Sequence, residues 1–224
     1  MFELNDMPEG LPDDLIALML KVETATIGHV LHDGFLHPRI KPVLPGRRVV
    51  GCAVTVRIPA MDSVMLHHAV SVARPGDFLM VERLGDDRHA CWGGMVTHAA
   101  KIAGVVGAAV DGPVTDLSEF LAADFPIWAA GLSPITTKQL GLHGVLNGVV
   151  TLGGQIVRPG DVVLADDSGV VVLDRTQARA LAPKCIGMQE FEIEVLEKLR
   201  AGVKLGALSG ASERIAKAIS GMKG

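Results

Sequence analysis

The chain has 224 residues, of which 49% are apolar and 26 are Gly, so its length and composition suit one α/β domain with a substantial core. The formal net charge of −4 and the absence of Tyr argue against a nucleic-acid-binding protein that uses a basic surface or stacked aromatic rings. Three widely spaced Cys residues, no signal-peptide pattern and no membrane-length apolar run favour a cytoplasmic protein without a membrane span.

Hydrophobic periodicity predicts alternating helices and strands along the chain. Helices are predicted over residues 11–22, 24–31, 61–72, 95–102, 120–123, 176–200 and 211–222. Strands are predicted over residues 49–58, 78–82, 105–110, 126–129, 145–150, 155–157, 162–165 and 170–173. No linker or low-complexity segment divides the chain, so we predict a single domain over residues 1–224 with a helical C-terminal extension over 176–222.

The tetrapeptide Arg-Pro-Gly-Asp occurs twice, at residues 74–77 and 158–161, each time before a predicted strand. Pro fixes φ at about −65° and Gly tolerates a positive φ, so this tetrapeptide predicts the same tight turn in both places. We prefer that interpretation to an internal duplication, because nothing else in the chain repeats.

Residues 92–119 carry the densest group of candidate functional residues. The Gly pair at 93–94 precedes a predicted helix, whose first backbone N–H groups can bind a carboxylate or a phosphate. A short strand with both faces buried is predicted next, over residues 105–110. Three acidic residues follow the end of that strand: Asp111, Asp116 and Glu119. Ligands collect at strand carboxyl ends and helix N-termini in open α/β proteins, so we expect any active site here.

Several of these residues have a structural interpretation beside the functional one. Asp116 and Glu119 are three apart and suit a hard cation such as Mg²⁺ or Mn²⁺, but the same spacing is that of a helix N-cap and its capping-box partner. The Gly pair can cradle an anion or can simply allow a helix to pack closely on the sheet. His98, one turn along the helix, can face a bound anion or pack at a subunit contact.

The run from Trp92 to Glu119 and the segment Arg158–Leu173 resemble the RraA-like family. That family contains regulators of ribonuclease E activity and the metal-dependent 4-hydroxy-4-methyl-2-oxoglutarate/4-carboxy-4-hydroxy-2-oxoadipate aldolases. Further similar segments are Pro38–Pro42, Gly51–Val56 and Ala73–Asp77. The resemblance covers about residues 20–180 and implies an α/β fold of the swivelling β/β/α type with C-terminal helices. It also implies a homotrimer or hexamer with a cleft between neighbouring subunits.

Family aldolases carry a pattern of Gly or Asp, twenty residues, Arg-Asp, two residues, and Glu or Asp. By this resemblance Gly94 stands at the first position, Asp116 is the metal-binding Asp, and Glu119 is the last carboxylate. We expect Asp116 to be the one direct protein ligand of the metal, with Glu119 acting through water and Asp111, at the end of the preceding strand, as a further candidate for that second role. The family implies Mg²⁺ or Mn²⁺ as the metal. Its aldolases hold the carboxylate of pyruvate with two backbone amides, which here belong to Met95 and Val96.

Thr115 occupies the position of the family Arg, and the resemblance places it beside Asp116 among the catalytic and substrate-binding residues. An Arg there would clamp the carboxylate and enolate of pyruvate with charged hydrogen bonds, whereas Thr offers one neutral hydrogen bond. Losing such a partner typically costs about 2–5 kcal/mol. Lys101 and Arg88 are cations nearby in the sequence, but nothing in the sequence places either in the cleft.

Two hypotheses follow from the resemblance and from this departure. The first is a divalent-metal-dependent lyase, an aldolase or decarboxylase, that acts on a 2-oxo acid with a pyruvate moiety. The second is a non-catalytic binding protein of the ribonuclease E regulator type. The two retained carboxylates, Asp116 and Glu119, favour the lyase, and the Thr at position 115 favours the regulator.

Overall fold

A mixed nine-stranded sheet forms the centre of the protein in the computed structural model, which describes residues 1–221. Its strands run in the order β1-β7-β3-β4-β5-β6-β2, and the hairpin β10–β11 pairs with β3. The strands β8 and β9 form a separate two-stranded sheet. The strands are β1 (Phe2–Leu4), β2 (Lys41–Pro42), β3 (Val49–Pro59), β4 (Asp77–Leu84), β5 (Gly107–Val110), β6 (Ile127–Ala129), β7 (Gly144–Leu146), β8 (Val150–Leu152), β9 (Gln155–Val157), β10 (Val162–Asp166) and β11 (Gly169–Leu173).

Eight helices accompany these strands within residues 1–221. They are α1 (Asp13–Met19), α2 (Thr24–Gly28), α3 (Val64–Val72), α4 (Gly94–Ile102), α5 (Leu117–Ala123), α6 (Arg175–Arg200), α7 (Leu205–Leu208) and α8 (Ala211–Gly221). The chain divides into two compact units, Met1–Ala182 and the residues from Pro183 onward, and the division falls inside α6 at Pro183. None of the helices within residues 1–221 is long and apolar enough to cross a membrane.

The four strands β3, β4, β5 and β6 are parallel neighbours, so their carboxyl ends gather at one edge of the sheet. Side chains alternate between the two faces with the period of two that a strand imposes. On β4, Leu79 packs into the core cluster that includes residues of α3, α4 and α5, whereas Phe78 packs into the cluster on the other face with Trp128 and Leu152. Both faces are therefore covered, which explains the nearly continuous apolar sequences of these strands.

The structure confirms the predicted α/β fold and most predicted elements, with small shifts of their ends. One predicted strand, over residues 145–150, is wrong. Asn147 has a φ of 55° and breaks that run into β7, in the large sheet, and β8, in the small one. The short elements β1, β2 and α7 were not predicted, because they span only two to four residues each. The last predicted helix is α8, and its predicted end at Met222 lies outside the described residues.

Both Arg-Pro-Gly-Asp segments form the same turn, as predicted. Arg74 N–H donates to Asp77 Oδ2 at 2.8 Å, and Arg158 N–H donates to Asp161 Oδ2 at 2.8 Å. Each turn leads the chain into a buried strand, β4 or β10. The repeated sequence therefore has a local explanation, since the carboxylate closes the turn on the backbone of its own Arg.

The helix α4 ends in a Schellman motif at Gly104. Val105 N–H donates to Ala100 O and Gly104 N–H donates to Lys101 O, both at 3.0 Å. Gly104 has a φ of +81°, and a Cβ at this position would lie 2.9 Å from the Cα of Pro75. A helix end and a turn before β4 are thus packed against each other at a point where only Gly fits.

Replacing Gly104 with Ala is expected to lower the free energy of unfolding by about 1–3 kcal/mol for the left-handed backbone, and by about 1 kcal/mol more for the contact with Pro75. The matched control is Gly76→Ala. Gly76 has a φ of +87°, and a Cβ there would have nothing within 4 Å, so that variant bears only the backbone strain. Urea unfolding of both variants measures the difference, and equal losses would contradict the close packing at Gly104.

Candidate functional site

The N-terminus of α4 and the segment that leads into α5 meet at the carboxyl edge of the sheet. Gly94 N–H donates to Asp116 Oδ2 at 2.9 Å. A Cβ on Gly93 would lie 2.7 Å from that same Oδ2, and a Cβ on Gly94 would lie 2.7 Å from Cγ of Glu119. Any larger residue at 93 or 94 would therefore displace the side chain of Asp116 or Glu119. The Gly pair serves close packing, and that packing places a carboxylate at the start of α4.

Asp116 stands at the N-cap position of α5, but its side chain makes no capping hydrogen bond to that helix. The capping-box alternative is wrong, because the carboxylate turns to Gly94 instead. Asp116 has φ 61° and ψ 51°, a left-handed conformation that typically costs a non-Gly residue about 1–3 kcal/mol. The backbone just before Asp116 is also fixed, because Thr115 N–H donates to Trp92 O at 2.9 Å. The surrounding contacts thus hold an unfavourable backbone that aims the carboxylate at α4.

The hydrogen bond from Gly94 also defines which helix amides stay available. The first intrahelical bond of α4 runs from Thr97 N–H to Gly93 O at 3.0 Å. The N–H groups that precede Thr97 in the helix have no acceptor within it, and Gly94 has found one in Asp116. Met95 and Val96 therefore present N–H groups at the positive end of the helix dipole, where anions bind favourably.

A cavity of about 250 Å³ opens beside this helix end. It brings together five of the predicted site residues: Gly94, Met95, Val96, Thr115 and Asp116. Gly93, the other member of the Gly pair, lines it as well. The rest of its lining was not predicted as functional and comes from the start of α3, from the segment before α4 and from a loop after β6: Ser63, His67, Ala90, Cys91, Thr136, Thr137 and Gln139. The sequence held no signal for the loop residues, since residues 133–141 show only a polar character.

The other predicted carboxylates do not line this cavity. Glu119 Oε2 lies 2.9 Å from His98 Nε2, and both side chains are about half exposed, at 47% and 45%. Asp111 forms an ion pair with Arg39 and accepts a hydrogen bond from Gly153 N–H at 2.9 Å. The structure thus brings Asp116 alone of the three to the cavity, while His98 pairs with Glu119.

No Lys or Arg is found among the residues that line the cavity in the described part of the chain. Lys101 donates a hydrogen bond to Ala123 O at the end of α5. Arg88 is exposed and lies outside the lining. Arg83 is buried nearby, but its guanidinium is committed to Ala60 O at 2.7 Å, His89 O at 2.6 Å and Asp86 Oδ2 at 2.5 Å. Neither candidate cation from the sequence replaces the family Arg.

The loop over residues 133–141 is held in place by the buried carboxylate of Asp62. That carboxylate accepts hydrogen bonds from the N–H groups of Val64 at 3.0 Å, Leu140 at 3.1 Å and Leu142 at 2.7 Å. Burial by itself raises the pKa of Asp62, but these backbone donors outweigh it, and the pKa lies below its ordinary value of 3.8. One ionised side chain therefore joins the start of α3 to the loop that completes the cavity.

Cys91 is the only thiol in the cavity lining within the described residues. Its side chain is buried, and this burial raises the pKa of the thiol; the nearby Arg83 offsets only part of the effect. A thiol with a raised pKa stays protonated near neutral pH and is a poor nucleophile. We therefore give the Cys91 thiol no catalytic role.

The residues present can hold a hard divalent cation with few protein ligands. No group of three His, Cys, Asp or Glu side chains within residues 1–221 is arranged to hold a metal. Mg²⁺ does not need such a group, since it is commonly bound by one or two carboxylates and keeps several waters. Asp116 has a second oxygen, Oδ1, whose contact with Thr115 Oγ1 is a long one of 3.4 Å. The oxygen chemistry and the open carboxylate fit Mg²⁺ or Mn²⁺.

The fold and the site together define an α/β protein in which a helix end with free N–H groups lies beside a carboxylate. The chain belongs to the RraA-like family: residues 24–172 match the family model described as Aldolase/RraA. A protein of Halalkalibacterium halodurans named "Putative 4-hydroxy-4-methyl-2-oxoglutarate aldolase" is 33% identical over 173 residues, which cover 76% of this chain and 81% of that protein.

Two solved structures show the same fold. RraAS2 of Streptomyces coelicolor, described as an unusual member of the RNase ES inhibitor RraA protein family, has a TM-score of 0.74 and 26% identity, and the match covers 84% of this chain and 98% of that one. An uncharacterised protein of Pseudomonas syringae pv. tomato has a TM-score of 0.78 at 21% identity, covering 94% of this chain and 100% of that one. The second likeness shows the fold alone.

The contacts of Asp62 predict a pH-dependent stability. Its pKa is lower in the folded protein than in the unfolded chain, so its contribution is fully present above the ordinary value of 3.8 and is lost as the pH falls through the lowered pKa. Asp62→Asn is expected to lower the free energy of unfolding by about 1–3 kcal/mol at pH 7. This gap in unfolding free energy between the variant and the wild type should shrink below about pH 4.

Urea unfolding between pH 7 and pH 3 measures that gap. The matched control is Asp87→Asn, because Asp87 is exposed. A gap that stays constant down to pH 3, or an equal loss in the control, would contradict the assigned role of Asp62.

Proposed function

We propose that the protein is a divalent-metal-dependent lyase, an aldolase or decarboxylase, that releases pyruvate from a 2-oxo acid. The observation that carries this proposal is the placement of the Asp116 carboxylate 2.9 Å from Gly94 N, at the start of a helix whose next two N–H groups are available. An anion site and a hard-cation ligand thus share one cavity. The aldolase name of the relative from H. halodurans supports the same reaction class.

The N–H groups of Met95 and Val96 would bind the carboxylate of the 2-oxo acid at the N-terminus of α4. This fixes the keto group of the substrate beside Asp116, whose own position is set by Gly94 N–H. Thr115 Oγ1 can donate one hydrogen bond to the substrate if it gives up its long contact with Asp116. The buried side chains of Cys91 and Ala90 form a part of the wall that carries no charge.

Asp116 would hold the metal directly. Glu119 lies about one helical turn further along the chain and is paired with His98, so it would act on the metal through water. When bound, Mg²⁺ or Mn²⁺ supplies a Lewis acid that stabilises negative charge on the keto oxygen of the substrate. Asp111 is tied to Arg39 and Gly153, so we give it no part in this proposal.

A second candidate function is a non-catalytic binding protein of the regulator type, and Thr115 is the observation that favours it. RraAS2 of S. coelicolor, which shares the fold, is described as a member of an RNase ES inhibitor family. Without the family Arg, and with no Lys or Arg in the cavity lining of the described residues, the site lacks the charged clamp of an aldolase. Turnover therefore decides between the two functions.

We also propose that the chain forms a homotrimer or hexamer. An apolar groove of about 480 Å³ lies between α3 and α4 and is continuous with the cavity, since His67, Met95 and Val96 line both. Met95 and Ile102 in this groove are 81% and 88% exposed, which is unusual for large apolar side chains that lie together. A neighbouring subunit seated there would cover them and close the cavity from one side.

The metal role of Asp116 predicts that Asp116→Asn weakens Mg²⁺ binding sharply, because the cation loses its charged oxygen ligand. Isothermal calorimetry with MgCl₂ measures the affinity. The matched control is Asp124→Asn, since Asp124 is another exposed Asp with a left-handed backbone, at the other end of α5. Unchanged Mg²⁺ affinity in Asp116→Asn would remove this residue from the metal site.

The missing clamp predicts slow wild-type turnover of oxaloacetate and 4-hydroxy-4-methyl-2-oxoglutarate. Thr115→Arg is expected to raise Mg²⁺-dependent pyruvate release by about tenfold or more, which corresponds to about 1.4 kcal/mol of recovered transition-state stabilisation. The gain should vanish in the Thr115→Arg, Asp116→Asn double variant. A folded but inert Thr115→Arg protein would mean that the cavity differs from that of the family aldolases in more than this one residue, and brisk wild-type turnover would mean that another cation already takes the role of the Arg.

The oligomer proposal predicts a particle well above 23.5 kDa by light scattering at micromolar concentration. Ile102→Glu should reduce the mass by placing a charge in the apolar groove. Leu84→Glu is the control, because Leu84 is an exposed apolar residue outside the groove. A monomeric wild type would refute the proposal.

A further inference from the structure

The lining of the cavity also limits the chemistry of the substrate beyond its pyruvate part. We propose that the tail of the substrate, which is the part beyond the pyruvate unit, is uncharged and hydroxylated. The substrate is then a 4-hydroxy-2-oxo acid with a polyhydroxylated tail, such as a 2-oxo-3-deoxy sugar acid. The inference rests on the proposed lyase function, because it concerns the same cavity. It differs from the dicarboxylic acids for which the aldolase relatives are named.

The charges around the cavity disfavour a second carboxylate on the substrate. The proposed metal would take up the charge of Asp116, and no Lys or Arg lines the rest of the cavity in the described part of the chain. His67, exposed on α3, is the only lining side chain there that can carry a positive charge. A carboxylate tail would leave water for a wall that has no Lys or Arg to neutralise it, and this desolvation is unfavourable.

Neutral hydrogen-bonding groups take the place of cations in this wall. They are the side chains of Ser63, Thr115, Thr136, Thr137 and Gln139. A hydroxyl donates one hydrogen bond and accepts two, and a Gln amide does both as well, so the wall matches the mixed donors and acceptors of sugar hydroxyls. A carboxylate, which only accepts, would use no more than half of that capacity.

Most of these groups keep hydrogen-bonding capacity for a ligand, whereas Ser63 Oγ donates its proton to Lys138 O at 3.2 Å and can only accept. Gln139 Nε2 lies 3.4 Å from Ser63 Oγ, and Thr137 Oγ1 lies 3.4 Å from Ala90 O, both near the upper limit for a hydrogen bond. Thr115 Oγ1 makes a contact of the same length with Asp116. Such long contacts are weak, and substrate hydroxyls can replace them at little cost.

The backbone that carries these groups is fixed without a ligand. Lys138 O accepts from Ser63 N–H at 3.0 Å, and Lys138 N–H donates to Met61 O at 2.7 Å. Thr137 N–H donates to Ala90 O at 3.0 Å, and Asp62 fixes the end of the same loop. The polar wall is thus preorganised, and this lowers the entropic cost of binding a flexible, hydroxylated tail.

The reaction balances for such a substrate without any further reagent. The hydroxyl on C4 loses its proton, and the C3–C4 bond then breaks. The electron pair of that bond stays with C3 and gives the enolate of pyruvate. C4 leaves as the carbonyl of a hydroxyaldehyde. The enolate then takes up one proton at C3, which replaces the proton lost from the hydroxyl.

The test compares three 4-hydroxy-2-oxo acids that share the reacting head and differ only in the tail. They are 2-oxo-3-deoxygluconate with a dihydroxylated tail, 4-hydroxy-2-oxopentanoate with a methyl, and 4-hydroxy-2-oxoglutarate with a carboxylate. Pyruvate release in Mg²⁺ should show kcat/KM at least about tenfold higher for the hydroxylated acid than for the other two. The carboxylate acid as the best substrate, or the methyl acid as an equal one, would overturn the proposal.

Variants of the wall identify the residues responsible. Thr137→Val and Gln139→Leu should each lower kcat/KM for the hydroxylated acid by about tenfold and leave the methyl acid unchanged. Thr151→Val is the matched control, because Thr151 is exposed on β8 outside the cavity. Gln139→Lys should improve the carboxylate acid relative to the other two. Wall variants that behave like Thr151→Val would overturn the proposal.

The outcomes separate this inference from the lyase function. If none of the three acids releases pyruvate, the lyase proposal fails, and calorimetric binding of the same acids in Mg²⁺ then tests the wall by itself. Tighter binding of the hydroxylated acid, weakened in Thr137→Val and Gln139→Leu, supports the assignment. Tightest binding of the carboxylate acid, or binding that the wall variants leave unchanged, contradicts it.

Discussion

The close approach of the α4 N-terminus to the Thr115–Glu119 segment is the constraint on which the candidate site depends. Side chains larger than Gly at 93 or 94 would meet Asp116 or Glu119 within 3 Å, so the absence of Cβ atoms allows Gly94 N–H to reach the Asp116 carboxylate. That single hydrogen bond satisfies one free helix amide, leaves the next two available, and fixes a carboxylate beside them. The left-handed backbone of Asp116 is the strain that this geometry imposes.

The sheet brings these segments together. The strands β3 to β6 are parallel, so the loops after β3, β4, β5 and β6 all emerge at one edge, where the α/β architecture places ligand sites. The Asp62 carboxylate then joins two of these loops through three backbone N–H groups. A change at Asp62 therefore reaches the cavity through the backbone, although its side chain is not part of the lining.

The sequence predicted the parts of the site that lie within one continuous segment. Gly94, Thr115 and Asp116 follow from the spacing of a known family pattern, and the structure brings them to one cavity. The partners of Asp111 and Glu119 were not predictable, because Arg39, Gly153 and His98 lie far from them in sequence. The wall residues Thr136, Thr137 and Gln139 were missed for a different reason. A polar loop gives no periodicity, and only the fold shows which side of it faces the cavity. The division of the run 145–150 was missed because a single positive φ at Asn147 decides it.

The central claim is that the helix end and Asp116 form one site for a 2-oxo acid and a divalent cation. A crystal structure of the wild-type protein with Mg²⁺ and oxalate, a stable analogue of the pyruvate enolate, tests this claim most directly. The account predicts Mg²⁺ on the Asp116 carboxylate and an oxalate carboxylate within hydrogen-bond distance of the Met95 and Val96 N–H groups. Oxalate or Mg²⁺ bound elsewhere, with the cavity filled by water alone, would contradict it.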